Sequence, residues 1–146
     1  MLVSAAMQLQ HLTNNDWALL RSKSRILSFK KGDVIIPINS RPTALFILKS
    51  GSAVVEVTRG EAIAQLAPGD ICGEMAFVEN SVASASVVAA SADTKVEAFD
   101  LAEVSEIFTS YPHLEARFYK SLALLLSQRL RRTSAQLAKI QAEVTF

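Results

Sequence analysis

The chain of 146 residues has one cysteine, Cys72, and two histidines, His11 and His113. A single thiol excludes an internal disulfide framework, a four-cysteine zinc site and a four-cysteine iron–sulfur cluster. The two histidines stand far apart without ligand-like spacing and read as ordinary surface or boundary residues. Long apolar runs are also missing. Half of the residues are hydrophobic, yet the longest candidate runs, 44–48 and 122–126, hold five residues each. A membrane-spanning helix needs about 20. The opening MLVSAAMQLQHL has neither a basic stretch nor a clear cleavage signal, so a cytoplasmic chain with no transmembrane segment is expected. Charge of one sign is scarce too. The net charge of +1 gives the whole chain no electrostatic case for nucleic-acid binding.

What is present falls into three blocks of one expected domain, 1–146. In the first, 1–23, a helix is predicted over about 5–23. Thr13 and Asp16 stand at capping-box spacing, and Trp17, Leu19 and Leu20 supply an apolar face. The second, 24–100, is rich in strand signals. Turn residues recur at Lys31-Gly32-Asp33, Ser50-Gly51, Arg59-Gly60, Pro68-Gly69-Asp70 and Ser91-Ala92-Asp93. Strand-like runs lie between them at 26–29, 34–36, 45–49, 53–58, 62–66, 86–90 and 95–99. Short strands with no helix between them predict a sandwich, jelly roll or barrel. The third block, 101–146, is helical. Asp100 and Glu103 predict a capped short helix, Tyr111-Pro112 breaks it, and no Gly or Pro follows up to Val144. On the long helix Leu126, Leu130, Leu137, Ile140 and Val144 follow spacings of three, four and seven, interrupted only by Thr133. That seam suits a partner helix, and a homodimer is expected through it. The fold class is therefore α+β, a β-roll of about eight short antiparallel strands flanked by an N-terminal helix, a short helix and a long C-terminal helix.

In order, FKKGDVII (29–36), ALFILKSGSAVVEV (44–57), LAPGDICGEMAF (66–77) and SVVAASADTKVEAFD (86–100) precede a long helix. This series resembles the cyclic-nucleotide-binding domain family, which includes the catabolite activator protein, the regulatory subunits of protein kinase A and the gating domains of nucleotide-gated channels. The resemblance covers about 12–135, and it implies a regulatory module rather than an enzyme, with the segment around 101–118 as a hinge. It also implies a phosphate-binding cassette, Gly-Glu-hydrophobic-Ala-hydrophobic followed after a variable loop by Pro-Arg-Ala-Ala-Ser/Thr. In that cassette the Gly admits close backbone approach, the Glu accepts from a ribose hydroxyl, and the Arg neutralises the cyclic phosphate.

Placed on this chain, Gly73, Glu74, Met75, Ala76 and Phe77 fit the front half. In the back half Val82 stands for the Pro and Ala83 for the Arg, followed by Ser84, Ala85 and Ser86. The resemblance thus implies ligand contacts at Gly73, Glu74, Met75, Ala76, Ala83, Ser84, Ala85 and Ser86. The segments 73–77 and 84–86 should meet around a small cavity whose walls offer amides but little positive charge. Losing two charge-assisted hydrogen bonds costs about 3–5 kcal/mol, or roughly two to four powers of ten in affinity. Three readings follow. The cavity takes no ligand and the chain is a docking or dimerising module. It takes a ligand that needs less positive charge. Or it takes cyclic AMP or cyclic GMP with a cation from Arg59, Lys95 or a partner's arginine. No other cofactor and no metal is expected.

Other residues read more plainly. Cys72, between Ile71 and Gly73 in an apolar strand, reads as a buried, inert thiol. Glu74 has no second titrating group set beside it by the sequence, as acid–base chemistry would need. Arg129, Arg131 and Arg132 form a basic cluster that reads as a solvated helix face, with an acidic partner, nucleic acid or an anionic membrane as sharper alternatives. The sequence stops about where the helix-turn-helix domain of the transcription-factor branch would begin, so no DNA-binding element is expected. A metal-dependent cupin would need several histidines, and 24–100 has none.

Overall fold

In the computed structural model, which describes residues 9–144, Thr13 caps the first helix, α1 (Asn14–Arg21). The Thr13 hydroxyl accepts from the Asp16 amide at 3.1 Å, and the Asp16 carboxylate accepts from the Thr13 amide at 3.0 Å. The helix is shorter than the predicted 5–23. The Leu12 amide donates to the Leu9 carbonyl in a turn before it, and positions 5–8 lie outside the described residues.

Eight strands follow: β1 (Arg25–Phe29), β2 (Val34–Ile36), β3 (Ala44–Ser50), β4 (Ala53–Thr58), β5 (Glu61–Leu66), β6 (Ile71–Cys72), β7 (Ser86–Ala89) and β8 (Thr94–Asp100). Each of the seven predicted runs holds one, and β6 is the addition. They form two four-stranded antiparallel sheets in the orders β1-β8-β3-β6 and β2-β7-β4-β5. The roll's own core lies between the sheets, around Ile36, Leu48, Ala53, Val87 and Val96. A tight turn at Gly51 joins β3 to β4. Its φ is 81°, and a Cβ there would sit 2.6 Å from the Asp93 carbonyl oxygen, so only glycine fits.

A second core joins the first sheet to the helices, around Leu9, Trp17, Leu45, Phe99, Phe108, Phe118 and Leu122. A short helix, α2 (Glu74–Glu79), sits between β6 and β7. Asp100 holds the cap position of α3 (Leu101–Ser110) without the expected capping bond. Its carboxylate accepts instead from Arg25 at 2.8 Å. The long helix α4 (Pro112–Val144) has 33 residues. Its first half buries Leu114, Phe118, Leu122 and Leu125. Arg117 clamps α4 to α1 through two 2.7 Å bonds to the buried Asp16 carboxylate, and the Ser121 hydroxyl accepts from the His11 amide. Beyond Arg129 every residue to Val144 is exposed. No helix among the described residues is long and apolar enough to cross a membrane.

Candidate functional site

Strand β6 runs antiparallel to β3, pairing Cys72 with Phe46 and Ile71 with Ile47. It delivers the chain to Gly73, whose φ is 86°. A Cβ on Gly73 would stand 3.0 Å from the Ala44 carbonyl oxygen, so glycine lets the chain turn sharply into α2 against β3. Helix α2 ends at Asn80, itself left-handed with φ 53°. The Arg41 guanidinium donates to the Asn80 carbonyl at 2.6 Å and to its side-chain oxygen at 3.2 Å. The loop carrying Arg41 also holds position 83. The Ala83 amide donates to the Ser40 carbonyl at 2.7 Å, and its carbonyl accepts from the Asn39 amide at 2.8 Å.

These segments enclose a cavity of about 200 Å³. Gly73, Glu74, Met75 and Ala76 line one side, and Val82, Ala83, Ser84 and Ala85 line another. Ser86, grouped with them in the sequence reading, lies elsewhere. Its hydroxyl accepts from the Ile38 amide at 2.8 Å, and it faces a separate open depression beside Val34 and Val88. The cause is strand alternation. Val87 turns into the roll, so its neighbour Ser86 turns out.

The walls hold a cation that the sequence reading did not place there. Arg129, reaching in from α4, donates through Nη1 to Glu74 Oε1 at 2.5 Å and through Nη2 to the Ile71 carbonyl at 2.8 Å. Glu74 is buried, and this ion pair is the compensation that burial of a carboxylate requires. The expected basic face of Arg129, Arg131 and Arg132 is therefore divided. Arg129 turns inward, and Arg131 and Arg132 are exposed. Neither Arg59 nor Lys95 lines the cavity. Arg59 borders the outer depression, and Lys95 lies exposed on β8 opposite Ser28. Glu79 also lines the cavity, but it is exposed and its carboxylate accepts from the Ser81 hydroxyl at 3.3 Å.

Phe77 anchors α2 to the helices behind it. Its ring stacks on Tyr119 at 5.8 Å and meets Phe118 and Phe108 edge-on at 5.6 and 6.0 Å. Burial, reinforced by the nearby Glu74 charge, pushes the Cys72 thiol up to about 12. Of the proposed seam, Leu126 packs partly against the core, while Leu130, Leu137, Ile140 and Val144 are exposed. No group of three or more His, Cys, Asp or Glu among the described residues is placed to hold a metal ion.

Residues 26–111 match the family model described as "Cyclic nucleotide-binding domain". The chain is 32% identical over 124 residues to cyclic GMP-binding protein C of Dictyostelium discoideum, covering 82% of this chain and 5% of that protein. It is 31% identical over 138 residues to the Pycsar effector protein BcPycTIR of Burkholderia cepacia, covering 92% of this chain and 45% of that protein. The chain thus spans less than half the length of either relative. Among solved structures, the Thermus thermophilus catabolite activator protein superposes with a TM-score of 0.73 at 26% identity, over 92% of this chain and 63% of that one. With the two sheets, the glycine-led helix α2 and the cavity beneath it, the matched segment places this chain in the cyclic nucleotide-binding domain family, as a regulatory module.

Proposed function

We propose that the chain acts without catalysis of its own, as a regulatory module that binds cyclic AMP or cyclic GMP weakly or not at all. The observation that carries this reading is the pairing of Arg129 with Glu74. The one cation in the wall is already spent on the carboxylate that would meet a ribose, and Ala83 leaves the cassette with none of its own. A cyclic phosphate would enter a cavity whose lining guanidinium is already paired with the buried Glu74 carboxylate. At about 200 Å³ the cavity is also smaller than the roughly 300–1,000 Å³ of small-molecule sites. The name of the Dictyostelium relative favours a cyclic nucleotide as the ligand class. Contacts would fall on Gly73, Glu74, Met75, Ala76, Ser84 and Ala85, and Ser86 drops out.

Titration calorimetry with both nucleotides tests the reading. Wild type should give dissociation constants near or above about 1 mM, and Ala83→Arg should tighten binding by roughly a hundredfold or more. Micromolar binding by wild type that is lost in Arg129→Gln would overturn it in favour of a sensor whose cation is Arg129.

A second reading concerns assembly, and the exposed seam on α4 favours it. Leu130, Leu137, Ile140 and Val144 leave a helix with an apolar stripe and nothing described against it, which a second copy of the chain would cover as a two-stranded coil. Sedimentation should find a dimer that Leu130→Glu makes monomeric.

A further inference from the structure

The floor of the cavity is a row of branched apolar side chains, one from each strand of the second sheet. Ile36 on β2 lies opposite Val87 on β7, and Val87 lies opposite Val55 on β4. Leu66 on β5 lies opposite Ala53, two residues from Val55 and so on the same face. All four line the cavity. Opposed side chains stand about 5 Å apart, so three strands alone give a continuous apolar surface roughly 10 Å across. Ala83, which also lines the cavity, packs against the same core. The buried polar groups of the wall are already matched. Glu74 and Arg129 satisfy each other, and the second guanidinium nitrogen is held by the Ile71 carbonyl. Glu79 and Ser84 are exposed and turn towards solvent.

We infer that the cavity takes a neutral, largely apolar molecule of one or two rings, seated on Ile36, Val55, Leu66 and Val87. The inference rests on the reading that cyclic nucleotides bind weakly or not at all. An anion must draw Arg129 off Glu74 and leave that carboxylate buried without a partner. A cation meets a carboxylate that is already paired, and gives up its hydration beside a guanidinium. A neutral molecule rich in hydroxyls loses its bonds to water against Ile36, Val55 and Val87, which return none. A neutral apolar molecule loses little on entry and gains by covering the row. Size points the same way. An apolar cavity of roughly 150 Å³ takes benzene, and about 200 Å³ leaves room for a second ring.

Titration calorimetry with indole, toluene, benzoate and benzylammonium tests this. Wild type should bind indole saturably, with a dissociation constant below about 1 mM. Toluene should bind at least about tenfold more tightly than either charged ring. Ala83→Trp, which fills the cavity, should lose indole binding, and Ala62→Trp, on an exposed position of β5, should keep it. Circular dichroism checks that both variants are folded. Nuclear Overhauser contacts from indole to the methyls of Ile36, Val55 and Val87 locate it in wild type without any substitution. Contacts to Trp17 and Phe99 instead would overturn the inference, as would undiminished binding by folded Ala83→Trp. Benzoate binding as tightly as toluene would overturn it too, since Arg129 would then be free to meet an anion. No saturable indole binding, with cyclic AMP and cyclic GMP near or above about 1 mM, would sink the inference and leave the weak-nucleotide reading standing. Micromolar nucleotide binding would remove both.

Discussion

Replacing Arg129 with methionine keeps most of the side chain's apolar stem and removes the guanidinium. Two bonds go with it, 2.5 Å to Glu74 and 2.8 Å to the Ile71 carbonyl. The larger loss is on the other side of the pair. The Glu74 side chain is 8% exposed, and without a partner its charge must be buried uncompensated or the loop must open. Breaking a fully buried pair from one side costs about 3–5 kcal/mol, and Arg129, one-third exposed, is partly screened, so about 2–4 kcal/mol is expected. Glu74→Gln leaves an amide oxygen that can still accept from Arg129 and should cost less, about 1–2 kcal/mol. The double variant should be more stable than the two losses added together, by about 1 kcal/mol or more, because the second change removes the charge that the first stranded. Urea unfolding followed through Trp17, the only tryptophan, measures all three. A loss of 2–4 kcal/mol moves the midpoint by roughly 1–2 M. Additive losses, agreeing within about 0.3 kcal/mol, would refute the claim that these side chains stabilise each other.

Two further outcomes are expected. The Arg117 guanidinium beside Asp16 holds its carboxyl below the usual carboxylate range. The pair's contribution to stability is then present above about pH 4, the unfolded value, and is lost as pH falls through the lowered one. Asp16→Asn should therefore be less stable than wild type at pH 7, with the gap closing towards pH 2; a gap constant across that range would assign the clamp another origin. The Cys72 thiol, pushed up to about 12, should react with a disulfide reagent at pH 8 on the order of a hundredfold more slowly in the folded chain than in urea. Equal rates would mean that the wall of the cavity opens freely.

The strands were legible because each is local. A half-buried run of alternating residues between glycine turns carries its own signature, and so does the Thr13–Asp16 box. Strand β6 was not, since two residues hold no period and only its pairing with β3 defines it. The front of the cassette was readable from Gly73-Glu74. The placement of Ser86 could have been read from the same alternation that marks Val87 and Ala89 as inward. Nothing local linked Arg129 to Glu74, 55 positions apart. The signal available was an unmatched carboxylate in an apolar loop and an arginine on the helix turn where the apolar face narrows. Charge alone could not say which of three neighbouring arginines turns inward. The Asp100 cap failed because Arg25, from another strand, offers the carboxylate a stronger partner than a backbone amide.

From Leu130 to Val144 the long helix is a rod standing clear of the body, about 22 Å in length at 1.5 Å per residue. Its fulcrum is the turn at Arg129, pinned to Glu74 and Ile71. Rotating such a rod by roughly 10° at its base sweeps the far end through about 4 Å, roughly three-quarters of a helical turn's pitch of about 5.4 Å. A displacement too small to notice at the loop thus arrives at the tip as mechanical leverage, large enough to shift whatever is coupled there.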